Sequence, residues 1–402
     1  RLQADYGVKL AVRLGIHTGP VVVGQMGAAG RHEQLALGET PNIAARLEGL
    51  AGPNAVVISP VTARIVADSF ALEAMGPQTL KGLAAPMEVW RVTGLRERHP
   101  EPLDGASAMA GAALLVGRDE EIGLLRRRRE QSKTGQGQVV LVSGEAGIGK
   151  SVLVEGLRAQ ARAEGATRIT FRASPYHTNS ALYCVSSYLA RTLQFAPEDD
   201  AAARVAKMEA GLQPLGLPLA EMMPLYAALL SVPLPAERYP PLALMPQQLK
   251  QRTLDALLSW LTAEAERQPV MVTWEDLHWA DPTTLELLGM VIAEAPTVPI
   301  LHVLTYRPAF TPPWPPQSHL TPIVLGRLER AQVEALIALR AKHKALPPEV
   351  VRHIADKTDG VPLYVEELTR MLLSSALLRE EADRYVLVGP LDSAAIPDTL
   401  QD

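Results

Sequence analysis

The stretch Gln138-Val-Val-Leu-Val-Ser143-Gly144-Glu145-Ala146-Gly147-Ile148-Gly149-Lys150-Ser151 decides how this chain is read. It opens on a continuous apolar run, the pattern of a strand covered on both faces. Gly144 to Ser151 then match G-x-x-x-x-G-K-[ST] at every fixed position. Beyond Ser151, the residues Val152, Leu153 and Leu157 open an amphipathic helix. A strand, a glycine loop and a helix N-terminus in succession make an anion site, because backbone N–H groups and the helix dipole converge on one point. In this reading Gly144, Glu145, Ala146, Gly147, Ile148 and Gly149 wrap the phosphates of a nucleoside triphosphate. Lys150 reaches the β- and γ-phosphates, and the Ser151 hydroxyl holds Mg²⁺.

Further β-rich runs follow at Ile169-Thr-Phe171, Val270-Met-Val-Thr-Trp274, Ile300-Leu-His-Val-Leu-Thr305 and Ile323-Val-Leu325, with helical stretches between them. Such alternation predicts an α/β fold with a mostly parallel sheet and helices on both faces. The run ending at Trp274 leads into Glu275-Asp276. An acidic pair at a strand end beside a phosphate loop suits metal binding and water orientation, so Glu275 is a candidate Mg²⁺ ligand and both acids are candidate catalytic groups. The strand ending at Thr305 leads to Tyr306-Arg307, which places Arg307 to sense the γ-phosphate. Alone, each of these residues reads as a solvated turn or a surface cation; behind a complete phosphate loop the functional reading is preferred. After Arg327 the strands are expected to stop. Residues 329–339, 348–356 and 363–378 read as helices of a small lid, and residues 195–247, rich in Leu, Pro and Ala, as an all-helical insertion.

Together these motifs resemble the STAND and AAA-like signalling ATPases over residues 114–402. Leu115-Val-Gly117-Arg118-Asp-Glu120 is similar to their entry motif, which implies a place for Gly117 and Arg118 near the adenine. Trp274-Glu-Asp-Leu-His-Trp-Ala-Asp281 is similar to their extended acidic motif. Gly360-Val361-Pro362 resembles the lid motif whose proline touches the base. Many such ATPases place Asp before Glu at the strand end. Here Glu275 precedes Asp276, and the expectation is a slow hydrolase that works as a switch.

Residues 1–95 read as a separate α+β unit. Leu10, Val12, Leu14 and Ile16 alternate as in a half-buried strand; Val21-Val22-Val23 and Ala55-Val56-Val57-Ile58 are further strands; Ser59-Pro60 caps a helix. Asn42 and Arg46 stand four apart and share a helix face, where Arg suits a phosphoryl group because its planar fork donates bidentately. Gly15-Ile-His17-Thr-Gly19-Pro-Val-Val-Val-Gly24, Leu37-Gly38-Glu-Thr-Pro-Asn42-Ile-Ala-Ala-Arg46-Leu and Leu80-Lys81-Gly82 resemble the C-terminal half of class III adenylate/guanylate cyclase catalytic domains. The resemblance implies a partial ferredoxin-like fold, with Asn42 positioning the ribose and Arg46 stabilising charge on the transferring phosphate. It places two metal-binding aspartates upstream, since neither Asp5 nor Asp68 has the setting, and sets Leu35 at the position that reads the purine. A second cyclase domain or a homodimer is implied. His17 reads as structural.

The expected organisation is therefore a cyclase half-domain at 1–95, a linker at 96–113, a P-loop ATPase domain at 114–326 and a helical lid at 327–402. The chain opens at Arg1 in a helix-like stretch and reads as a piece of a longer protein. Its 402 residues carry a net charge of −5, with 47% hydrophobic and 21% charged residues, and give no sign of a nucleic-acid partner. The run Arg126-Arg-Arg-Arg129 reads as a solvated helix face. Cys184 is the only cysteine, which excludes a disulfide framework and suits a reducing, cytoplasmic setting. No apolar run approaches the roughly 20 residues that span a membrane. ATP and Mg²⁺ are the expected cofactors, with an unknown regulatory protein or ligand as a further partner. The leading functional reading is a nucleotide cyclase coupled to a regulatory ATPase. The alternative is an ATP-dependent switch, scaffold or transcription regulator with a degenerate cyclase module.

Overall fold

The structure is a computed structural model that describes residues 11–19, 22–26, 33–37, 39–67, 70–80, 86–95, 115–196, 198–375 and 377–389. The expected linker at 96–113, Leu10, Lys81-Gly82, Asp5 and Asp68 lie outside the described residues. The chain divides into two compact units, Arg1–Pro102 and Leu103–Asp402.

In the first unit, β1 (Arg13–Ile16), β4 (Ala55–Ile58), β6 (Met87–Leu95) and β5 (Phe70–Gln78) form a four-stranded sheet in that order, and β2 (Val22–Met26) pairs antiparallel with β3 (Glu33–Leu37). Helix α1 (Glu39–Leu50) packs on this sheet by burying Ile43 and Leu47 against Val57, Leu80 and Val89. Gly15 is what lets α1 approach. A Cβ there would stand 2.1 Å from the Glu48 nitrogen and 2.2 Å from the Ala44 oxygen, both backbone atoms that cannot turn aside. Helix α2 (Pro60–Val66) begins at Ser59, which caps it as the sequence predicts: the Ser59 hydroxyl accepts from the Thr62 N–H at 3.4 Å. The same hydroxyl lies 2.8 Å from Nδ1 of His17, which gives His17 the structural place expected of it.

The second unit is built on five parallel strands in the order β11 (Leu320–Val324), β7 (Gln138–Ser143), β10 (Ile300–Tyr306), β9 (Val270–Glu275) and β8 (Thr167–Arg172). Every residue of β7, β9 and β10 is buried, as strands covered on both faces must be. On one side α3 (Asp119–Lys133) and α4 (Lys150–Ala163) cover the sheet, burying Leu125, Leu153 and Leu157 against Val140 and Val142. The other face carries α5 (Tyr183–Thr192), α6 (Ala201–Leu212), α7 (Leu219–Leu230), α8 (Pro246–Arg267) and α9 (Pro282–Glu294). A cluster of α10 (Arg330–Arg340), α11 (Pro348–Thr358) and α12 (Pro362–Ser374) follows, closed around Val333, Leu336, Val350, Ile354, Val365 and Leu368. The α/β class with a parallel sheet is thus the one the sequence predicts.

Three local expectations change. Strands do not stop at Arg327: β12 (Leu378–Glu380) and β13 (Tyr385–Leu387) form an antiparallel hairpin, each too short to leave an alternation. The stretch 195–247 is helical only in part, because residues 231–245 carry neither helix nor strand. Pro233, Pro235, Pro240 and Pro241 each remove a backbone donor there and forbid a continuous helix. The basic run on α3 is not solvated throughout: Arg129 is 3% exposed and its Nη2 lies 3.0 Å from a Glu164 carboxylate oxygen.

Candidate functional site

The buried strand β7 delivers the chain to the loop of residues 144–149, where Gly147 (φ +73°) and Gly149 (φ +99°) take left-handed conformations that a side chain would resist. Gly149 caps α4, so the first N–H groups of that helix face the loop. Lys150 is buried and folds back over the loop, its Nζ donating to the carbonyls of Gly144 and Glu145, each at 2.7 Å. Burial lowers the Lys150 pKa; the Asp276 carboxylate opposes this and the Arg307 guanidinium adds to it. Asp276 and Arg307, far from Lys150 in the chain, therefore both sit within electrostatic reach of it. Ser151, next on α4, is exposed.

The acidic pair divides. Asp276 lies just past β9 in a left-handed conformation (φ +58°), its N–H donating to Thr305 Oγ1 at 3.2 Å. Glu275 is 4% exposed and both of its oxygens are taken: Oε1 by Arg158 Nη2 at 2.5 Å, and Oε2 by Arg172 through Nη2 at 2.6 Å and Nε at 2.7 Å. Arg158 in turn meets Glu155 at 3.1 Å and Thr273 Oγ1 at 3.4 Å. The carboxylate expected to hold metal thus joins α4 to β9, and Asp276 is the acid on the Lys150 side.

His278 belongs to the same group, although sequence reasoning passed over it. Neither ring nitrogen finds a protein partner. Its pKa is lowered by burial; Asp276 pulls it up, while Arg307 and Lys150 push it down. The signal was present in the sequence, two residues beyond Asp276 in the Trp274–Asp281 motif. Asp281 itself is structural. Its carboxylate accepts from the Thr283 and Thr284 N–H groups at the start of α9, each at 3.0 Å, and from the Leu182 N–H at 3.2 Å.

The helical cluster closes over the loop. Leu363 N–H donates to the Gly147 carbonyl at 3.2 Å, and Arg327 bridges Glu145 and Asp359. Arg118 is buried, donating to the carbonyls of Ile148 at 3.3 Å and Gly326 at 2.5 Å. Gly117 receives the Gln332 amide at its carbonyl. Between them lies a cleft of about 30 Å³ lined by Val116, Arg118, Ile148, Gly149, Leu328 and Pro362. Ile148 and Pro362 thus stand where the loop and the cluster meet.

In the first unit, Asn42 is exposed and Arg46 half-buried on α1, one turn apart. No group of three or more His, Cys, Asp or Glu with metal-binding geometry occurs among the described residues. No helix among them is long and apolar enough to cross a membrane.

Comparison with known proteins agrees with this division. Residues 2–94 match the adenylate and guanylate cyclase catalytic domain, and residues 114–304 match the AAA ATPase domain. An uncharacterised protein of Rhizobium meliloti (strain 1021) is 31% identical over 374 residues, covering 89% of this chain and 34% of that protein. Mouse adenylate cyclase type 10 is 24% identical over 387 residues, covering 90% of this chain and 23% of that protein. The crystal structure of the adenylyl cyclase CyaB from P. aeruginosa is 30% identical, with a TM-score of 0.20, over 21% of this chain and 43% of that one. The chain spans only about a third to a quarter of the length of the curated relatives it matches.

Proposed function

We propose that this chain, which joins a nucleotide-cyclase catalytic-domain segment to an AAA-type ATPase domain, is the ATP-responsive part of a cyclic-nucleotide signalling enzyme. The carrying observation is the convergence of Lys150, Asp276, His278 and Arg307 beside the loop 144–151. In this reading residues 144–149 bind the phosphates through backbone N–H groups, Lys150 leaves its two carbonyls for the β- and γ-phosphates, and Arg307 senses the γ-phosphate. Asp276 orients the attacking water, and neutral His278 accepts or donates a hydrogen bond to it. The donor set fits Mg²⁺ through the Ser151 hydroxyl and Asp276; when bound, the ion would neutralise charge on the phosphates. Glu275 anchors Asp276 from the preceding position. Residues 114–326 carry the nucleotide, and residues 327–402, with Pro362 against the base and Gly117 and Arg118 at the entry, respond to it.

For the cyclase segment at 1–95, Asn42 would position the ribose and Arg46 would stabilise the transferring phosphate, in a site completed by a second cyclase domain. A cytoplasmic setting fits this role. Calorimetry tests the ATPase half. Lys150→Ala should abolish tight ATP binding, whereas Asp276→Asn should retain ATP with weaker Mg²⁺ dependence and lower turnover by about 10²-fold or more. Unchanged ATP affinity in Lys150→Ala would remove the site assignment.

A further inference from the structure

Helices α5–α8 pack over β8, the edge strand of the five-stranded sheet, and leave a cavity of about 100 Å³ among them. Protein interiors hold few voids larger than a water molecule, and a space of this size takes several waters or one ring-sized molecule. Its floor is apolar and aromatic: Ile169, Met208, Tyr226 and Trp260 are all buried. The Tyr226 hydroxyl is committed to the Ala256 carbonyl at 3.1 Å, so Tyr226 contributes its ring to the lining.

Polar groups gather towards the less buried helix ends that line the cavity. The Tyr188 hydroxyl is bonded to Thr192; Glu264 lines the cavity, while Arg191 and Arg168 act on Tyr188 without lining it. With both signs of charge present, that region favours no net ligand charge, but it offers a carboxylate to a hydrogen-bond donor. The wall also leads elsewhere. Phe171 on β8 contacts Tyr188 (centroids 5.1 Å apart), Trp260 (6.5 Å) and Trp274 (4.2 Å). Trp274 is the residue before the Glu275-Asp276 pair, and its Nε1 donates to His302 Nδ1 at 3.4 Å.

We propose that this cavity binds an uncharged single-ring molecule bearing one hydrogen-bond donor, and that occupancy is transmitted through Phe171 and Trp274 to Asp276. The second half of this rests on the nucleotide-binding reading above; the first does not. Phenol is a suitable probe on the 402-residue chain, with toluene as the analogue lacking a donor. Gly211→Leu intrudes on the cavity: a Cβ at this exposed helix position would stand 2.5 Å from Leu193 Cδ2, so the end of the Leu193 side chain must turn aside; the change also improves helix propensity. Thr192→Trp, at an exposed position of the lining, is the second blocking variant.

Ligand-detected NMR and calorimetry should give saturable 1:1 phenol binding at about 1 mM or tighter, within reach of so small a ligand. Toluene should bind about fivefold more weakly for want of the donor. Either blocking variant should weaken phenol binding about tenfold in a chain that circular dichroism shows to be folded, and phenol should shift ATP affinity at least about twofold in the unmodified chain only. Absence of saturable phenol binding, or binding undiminished in a folded blocking variant, would overturn the site. Saturable binding with ATP affinity unchanged would overturn the coupling. A chain that binds phenol but no ATP at all would leave the cavity standing and refute the nucleotide reading.

Discussion

Replacing Glu275 with alanine should cost the second unit stability and leave its nucleotide affinity nearly intact. The Glu275 side chain is 5% exposed and that of Arg158 9%. Removing one partner of a buried pair costs about 3–5 kcal/mol, because the other charge is left without compensation. Arg158 keeps Glu155 at 3.1 Å and Thr273 at 3.4 Å, which puts the loss near the lower end, about 3 kcal/mol. Arg172 is 65% exposed, so its share is screened and adds only about 0–1 kcal/mol. At roughly 2 °C per kcal/mol for a unit of this size, the melting temperature should fall by about 6 °C. Urea titration followed by circular dichroism measures the loss directly. Glu275→Gln retains one accepting oxygen and should lose less. The pair Glu275→Leu with Arg158→Met should recover most of the stability, since apolar replacements remove both charges from the interior. Calorimetric affinity for Mg·ATP in Glu275→Ala should stay within about threefold of the unmodified chain. A stability loss below about 1 kcal/mol, combined with a tenfold loss of Mg²⁺-dependent affinity, would refute this reasoning and make Glu275 a metal ligand.

Two further outcomes are expected. His302 is fully buried and its pKa is lowered to about 3 by burial, while its Nδ1 accepts from Trp274. The unfolded chain binds a proton there below about pH 6.5 and the folded one does not. The stability penalty is therefore absent at neutral pH and grows as pH falls from about 6.5 towards 3, reaching about 2–3 kcal/mol at pH 4.5. Urea titrations of the unmodified chain and of His302→Gln should differ in acid slope by this amount; parallel slopes would show that His302 is not the group. In the complete protein, Arg46→Ala should lower cyclic-nucleotide formation by about 10²-fold or more while leaving ATP hydrolysis unchanged, and equal loss of both activities would mean that the two sites are not separable.

The parallel sheet was legible because β7, β9 and β10 are buried on both faces, and that constraint writes itself as continuous apolar runs. The N-cap at Ser59 was legible for the opposite reason: capping is local, so its partners are neighbours in the chain. What escaped depended on contacts distant in sequence. Glu275 reads as a metal ligand from its place after a strand, but its partners Arg158 and Arg172 lie 117 and 103 residues away, and no periodicity marks them. The hairpin β12–β13 escaped because three-residue strands carry too few positions to show alternation. His278 escaped because a lone histidine reads as packing until its bare ring nitrogens are seen beside Lys150 and Arg307.

With Glu275 bound to two arginines, the conformation of Asp276 becomes the controlling feature of the acidic pair. A left-handed residue other than glycine costs about 1–2 kcal/mol, least for Asp and Asn, whose short polar side chains bond locally. Here the surroundings impose it: the Asp276 N–H is held by Thr305, and residue 275 before it is fixed by the arginines. Lengthening the side chain therefore adds backbone strain to misplacement. Asp276→Asn removes the charge while Asn tolerates the same backbone, so it should fold as the unmodified chain does, keep ATP with weaker Mg²⁺ dependence, and turn over poorly. Asp276→Glu keeps the charge but meets the backbone penalty and should be both less stable and slow. If Asp276→Glu hydrolysed ATP at the unmodified rate, a carboxylate anywhere in this neighbourhood would suffice, and the left-handed turn after β9 would have no part in placing the reacting water.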